Sequence, residues 1–284
     1  MHQLPTLHAG PKIQTSTDNS GKSMKASCTV NIHLTRLSLV LLSLALTTAG
    51  RGQSYFDTKK LVAGNNAFAF NLLRAVVKEQ PDRNVFISPY SVATALQMIG
   101  NGAAGGTRDE IMAALGVPTL AQSNRNAAAK ELSAALRKSA GDVTWSSANA
   151  IWYRKSYVIK PEFTQLNRNY FDAMVAGVDF DNSATVKMIN DWANKQTHGK
   201  IPSIVSGPFD PQLRLILANA VYFKGQWLSP FEAKDTEQRA FKVRTGAPKQ
   251  TPLMFKQQHW EYRLGTGYQS VRMPYRGDEL AMYV

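Results

Sequence analysis

The 284 residues are enough to bury one large core or two modest ones, and 44% hydrophobic with 19% charged residues describes a globular chain, not a disordered one. No apolar run reaches the roughly 18–20 residues that a membrane-spanning helix needs. Of the formal net charge of +13, Lys12, Lys22, Lys25, Arg36 and Arg51 against Asp18 place +4 in the first 53 residues and leave +9 for the remainder, spread as a solvated basic surface with at most a weak pull on polyanions.

Residues 1–23 are polar and without periodicity, and read as a leader or an over-long start. Met24 and Lys25 then open a basic stretch, Leu37 to Leu46 is a short apolar run, and Thr47 to Gly50 is a small-residue exit. That sequence of regions predicts a secretory signal peptide over 24–53, with cleavage after Ala49 or Gly52, and hence an extracellular or periplasmic protein with no membrane attachment after cleavage. The single cysteine, Cys28, lies in this leader. The remainder can form no disulfide, and with only His198 and His259 it offers no zinc set of the usual kind.

From residue 54 the chain reads as one domain. Leu61, Phe68, Leu72 and Val76, with Leu73 and Val77 beside them, mark one helical face that ends at Gln80-Pro81-Asp82. Asn84 to Ile87 reads as a short strand. Ser88 is a good N-cap with Pro89 in the first helical position, and Val92, Leu96 and Ile99 give that helix its buried face. Gly100 to Gly106 breaks it, and Thr107 to Glu110 forms a capping box for a short helix that Gly116-Val117-Pro118 stops. Gln122 to Ser139 is a polar helix carrying Arg125, Lys130, Arg137 and Lys138. A strand over Asp142–Tyr153, a helix over Pro161–Tyr170 and a strand over Met174–Phe180 follow. Ala184–Thr197 is an amphipathic helix with Val186, Ile189, Trp192 and Ala193.

Leu213–Phe223 is the most informative segment. From Leu215 it is apolar except for Asn219, rich in β-branched and aromatic residues, and closed by Gly225. This predicts a strand buried on both faces, and a buried amide there implies a polar cluster inside the sheet. Strands over Gln238–Val243, Trp260–Leu264, Tyr268–Met273 and Leu280–Val284 complete an α+β pattern. The chain stops inside an apolar strand, from which a missing C-terminal portion is expected. No G-x-S-x-G, S-x-x-K, P-loop or H-E-x-x-H pattern occurs, which argues against an enzyme.

The segment Asn219-Ala-Val-Tyr-Phe-Lys-Gly-Gln-Trp227 resembles the central strand of the serpin family, and Asn84-Val-Phe-Ile-Ser88-Pro89-Tyr-Ser91 resembles its second marker. Asn101 to Ile111, Ala148 to Trp152, Ile189-Asn190-Asp191-Trp192 with Thr197 and Gly199-Lys200-Ile201, and Met273 to Leu280 resemble further serpin motifs in the expected order, over about Phe56 to Val284. The resemblance implies an α+β serpin fold over 54–284: a helix-rich first half on a large mixed sheet A, plus sheets B and C, lacking its C-terminal part. It implies a monomeric suicide inhibitor of proteases, of serine type first and cysteine type second, with no cofactor. A cleaved reactive loop would insert as a new strand in the main sheet.

In that scheme Ser88, Pro89, Ser91 and Asn219 match the shutter, a polar gate where the central strands part. Trp227 matches the breach at the top of the strand, and Asn190 and Trp192 lie on the helix that crosses the sheet. The helix bearing Arg125, Lys130, Arg137 and Lys138 stands where some members bind sulfated glycans. The reactive loop, its hinge and the strand carrying the shutter histidine have no counterpart in these residues, so the 284 residues alone are expected to form no protease adduct. Without a neighbouring strand, Leu213–Phe223 is expected to be an aggregation-prone edge. A non-inhibitory binding protein of the same fold and an inactive remnant are the alternative readings.

Overall fold

The structure, a computed structural model, describes residues 45–139, 142–243 and 246–284. The leader and the greater part of the signal-peptide reading lie outside these residues. Residues 45–53 form the first turns of α1, Ala45–Glu79, which runs unbroken through the expected cleavage points.

Five further helices follow: α2 (Pro89–Gly100), α3 (Gly105–Ala114), α4 (Gln122–Ser139), α5 (Pro161–Phe171) and α6 (Ala184–Gln196). The strands are β1 (Thr144–Arg154), β2 (Met174–Val178), β3 (Leu215–Lys224), β4 (Glu237–Phe241), β5 (Lys249–Leu253), β6 (Glu261–Gly265), β7 (Tyr268–Pro274) and β8 (Ala281–Tyr283). Among the described residues they form a three-stranded mixed sheet in the order β2-β1-β3, a two-stranded hairpin β4-β5, and a three-stranded antiparallel sheet β6-β7-β8.

Three buried clusters hold the helical half against the mixed sheet. Leu61 and Phe68 of α1 meet Ala93, Met112, Leu115 and Val117. Met98, Ile151, Phe163 and Phe171 join α2, β1 and α5. Ala150, Trp152, Val178, Phe180 and Ile189 lie between the sheet and α6. The α1–α3 contact depends on glycine. A Cβ on Gly64 would stand 2.5 Å from the carbonyl oxygen of Leu115. Its neighbour Gly116, at φ +69°, closes α3 in a Schellman turn, with Gly116 N–H donating to Ala113 O and Val117 N–H to Met112 O. Gly64→Ala is therefore expected to cost about 1–3 kcal/mol by overpacking, read as a lower denaturation midpoint.

Several local expectations change. Residues 84–87 form no strand: no described strand offers them a ladder, and Phe86 is fully exposed. The buried face of α2 is Ala93, Thr94, Gln97 and Met98, while Val92 is exposed. Thr107 lies inside α3, whose N-cap is Ala104, so the capping box is not used. On α1, Leu73 and Val77 are exposed, while Leu61, Phe68, Leu72 and Val76 turn inward. β3 is half-buried along most of its length rather than buried on both faces, because among the described residues it has a strand partner on one side only.

Candidate functional site

β1 and β3 run antiparallel with Asn149 directly opposite Asn219. The Asn219 amide donates to Asn149 Oδ1 at 2.7 Å and to Ser147 Oγ at 3.1 Å. Asn149 in turn donates to the carbonyl of Phe171, the last residue of α5, at 2.7 Å. A polar relay thus runs from the open strand through its neighbour to a helix end. Asn219 Oδ1 is buried and accepts no hydrogen bond among the described residues. An acceptor left dry in this way costs about 1–3 kcal/mol, so the position is poised to take a donor.

Ser88 and Ser91 form a separate pair. Their hydroxyl oxygens are 2.8 Å apart, and Ser91 N–H donates to Ser88 Oγ at 3.4 Å as the N-cap of α2, with Pro89 in the first turn. α2 packs against β3. Among the described residues, however, no hydrogen bond joins the serines to Asn219, whose amide is already spent on β1. Ser88 and Ser91 therefore stand apart from Asn219, which is joined instead to Ser147, to Asn149 and, through Asn149, to the Phe171 carbonyl, none of which was expected as a site residue. Ser147 and Asn149 share one face of β1 at period two, but on a strand that also carries Thr144 and Ser146 the spacing alone does not single them out.

At the far end of β3, Trp227 stacks on Tyr275, with centroids 4.6 Å apart and planes at 11°. Phe231 and Phe223 approach this pair edge-on. Trp227 bridges to Tyr275 through the backbone, which ties the strand end to the β6-β7-β8 sheet. Gly225 permits the approach, since a Cβ there would stand 2.6 Å from the Tyr275 ring. Burial in this aromatic cluster raises the Tyr275 phenol above its usual range.

α6 packs on β3, and two of its residues hold it in place. Asn190 Oδ1 accepts from Ile204 and Val205 N–H at 2.8 and 3.0 Å, and its amide donates to Val205 O at 2.9 Å. The helix is thereby tied to the segment that leads into β3. Trp192 meets the fully buried Trp152 of β1 edge-on at 5.3 Å.

Residues 63–284 match the family model described as Serpin (serine protease inhibitor). The chain belongs to the serpin family. This serpin is similar to leukocyte elastase inhibitor of Sus scrofa, 32% identical over 235 residues that span 80% of this chain and 61% of that protein. It is 32% identical to neuroserpin of Rattus norvegicus over 260 residues, 88% of this chain and 61% of that protein. Among solved structures it resembles cleaved kallistatin complexed with heparin, with a TM-score of 0.74 and 26% identity over 80% of this chain and 68% of that one. The serpin thus spans about three fifths of the length of these two curated relatives. The three described sheets and the helical half are the α+β serpin architecture.

The basic residues of α4 do not form one surface in this serpin. Arg125 is 2% exposed, so it cannot meet a polyanion. It faces the core because its side chain folds back to Leu120 O at 3.4 Å, while Nε and Nη2 have no hydrogen bond among the described residues. Burial lowers its pKa, and Arg108 pushes the same way. Lys130 donates to Asn169 O at 2.9 Å, and Arg137 pairs with Asp172 at 3.2 Å. Lys138 is exposed.

The sheet end is fixed by charge. Lys155 donates to Asp179 Oδ2 at 2.8 Å, and Arg154 pairs with Asp181 at 2.6 Å. The hydrogen bond from Lys155, then the Asp181 N–H, hold the Asp179 carboxyl below its usual range. A depressed carboxylate contributes stability that is present above its unfolded pKa and lost as pH falls through the folded one. Lys155→Ala is expected to weaken the fold slightly at neutral pH and to flatten the acid limb of stability against pH, measured by urea melts across that range.

Proposed function

We propose that this serpin serves the inhibition of serine-type endopeptidases by the suicide-substrate route, in which a cleaved loop joins the mixed sheet beside β3. One observation carries the reading: residues 63–284 match the serpin family model, and β3 of that fold holds Asn219 in a polar relay through Asn149 to Phe171 O. An added strand would supply both ladder hydrogen bonds and burial, the two terms withheld from a metastable state. The relay from Asn219 through Asn149 to Phe171 O would act as the gate, with Ser88, Pro89 and Ser91 setting the helix beneath it. Trp227 and Tyr275 would be the plug at the upper end. The Asn190 clasp and the Trp192 contact would hold the crossing helix until the sheet opens. No catalytic role is assigned to any residue.

Names of relatives support this class: leukocyte elastase inhibitor shares 32% of its aligned residues with this chain. Incubating serine endopeptidases with the intact gene product and boiling in SDS tests it. A covalent protease adduct supports the reading, whereas plain cleavage of the serpin with the protease left active overturns it. We further read residues 24–53 as an export signal, to be checked by N-terminal sequencing of the secreted protein. A sulfated glycan as a secondary ligand would rest on Lys130, Arg137 and Lys138, without Arg125, and the heparin in the kallistatin structure favours testing it.

A further inference from the structure

Beside the Asn149–Asn219 relay, two residues whose buried side-chain oxygens lack hydrogen bonds among the described residues line the same small void. Gln97 of α2 is 2% exposed, and its Oε1 has no partner among the described residues. Asn65 Oδ1 of α1 is likewise buried and without a partner. Both side chains line a cavity of about 20 Å³. Its wall also carries the hydroxyl residues Tyr90, Thr94, Ser133 and Tyr170, and Asn149 of the relay to Asn219.

Size and chemistry limit what this cavity can hold. A void needs about 10–15 Å³ of this kind of volume to take one water, and a buried water needs 2–4 polar partners. Dry cavities of such size are apolar, whereas this one offers two open acceptors and four hydroxyl residues. No carboxylate lines it, so nothing there would compensate a cation.

We propose that the cavity is a binding site for a single internal water that donates one hydrogen to Asn65 Oδ1 and the other to Gln97 Oε1. The hydroxyl groups on the wall supply donors for the water's own oxygen. Because Asn149 borders the cavity and also accepts from Asn219, the water would continue the gate relay from the sheet into the α1–α2 pair. Two otherwise orphaned amides would thereby be satisfied by one molecule.

A crystal structure of the protein at a resolution that shows ordered solvent is the direct test. A solvent peak within about 2.7–3.2 Å of both oxygens is the expected result, and an empty cavity overturns the proposal. A thermal-melt cycle over Asn65→Leu, Gln97→Met and the double variant gives a second, independent readout. With the water present, each single change lowers the melting temperature by stranding the other acceptor, and the double variant recovers part of the loss. A dry cavity predicts instead that each single change raises the melting temperature and that the two rises add.

Discussion

Replacing Trp152 by alanine is expected to lower stability by about 3–5 kcal/mol, the range for deleting a fully buried aromatic side chain. Trp152 is 0% exposed at the centre of the cluster that joins β1 to α6, with Val178, Phe180 and Ile189 around it. Its removal would leave a cavity between two rigid layers that cannot collapse onto each other without shifting α6. The edge-on contact with Trp192, at 87°, adds a specific aromatic term. Trp152→Phe is the control. It keeps most of the volume and removes an indole N–H that has no partner among the described residues, so its cost should be far smaller. Urea denaturation gives the energies. Near-UV circular dichroism should show the indole–indole signal lost in both variants and in Trp192→Phe.

The second large effect is expected at Asn101. Its amide donates to Asn167 Oδ1 at 3.2 Å, and its Oδ1 accepts from Asn126 at 3.0 Å and from Gln122 at 3.3 Å. Asn126 and Asn167 are both 0% exposed, so the knot joins the end of α2 to α4 and α5 away from water. Asn101→Ala strands at least two buried amides at once, and a loss of about 2–4 kcal/mol follows from the desolvation cost of each. Asn101→Asp keeps the acceptor for Asn126 and Gln122 but sets a carboxylate oxygen against Asn167 Oδ1. It should therefore also be destabilised, and more so once the carboxyl ionises. Chemical denaturation at two pH values separates the two variants. Equal stability of Asn101→Ala and wild type would contradict this description of the knot.

The sequence pattern carried the long elements well, since a helix of three turns or a ten-residue strand repeats its periodicity often enough to be unmistakable. α4 falls on the polar run Gln122–Ser139, and α6 on the amphipathic pattern of Val186, Ile189, Trp192 and Ala193. Short elements failed where their fate depends on a partner rather than on their own residues. Asn84–Ile87 has strand composition, yet no described strand pairs with it. β5 has the opposite character, a polar run with Pro252, and forms because β4 lies beside it; Pro252 is tolerated in a strand paired on only one side. Thr107 satisfies a capping pattern, but the helix begins two residues earlier at Gly105, so Thr107 lies inside it and Ala104 stands at the N-cap.

The Asn219 cluster was half readable for a related reason. Asn219 stood out because it interrupts an apolar run. Its partners Ser147 and Asn149 lie on a strand already mixed in polarity, where nothing marks one polar residue above another. Arg125 misled for the converse reason: on a polar helix its charge reads as surface, and only tertiary packing shows that its face turns inward. The pairing of Ser88 with Ser91 is local, the N-cap bond that the Ser-Pro start of α2 encodes, whereas the absence of a hydrogen bond from these serines to Asn219 among the described residues depends on tertiary placement.

That β3 is an edge built to receive a strand is the central claim, and hydrogen exchange tests it most directly. The protein is incubated with a synthetic extended peptide rich in Thr and Ala, and amide exchange is followed over Leu215–Lys224. Slowed exchange along β3, with a higher melting temperature and a weaker response in Asn219→Leu, is the predicted result. Unchanged exchange along β3 at saturating peptide would contradict the account.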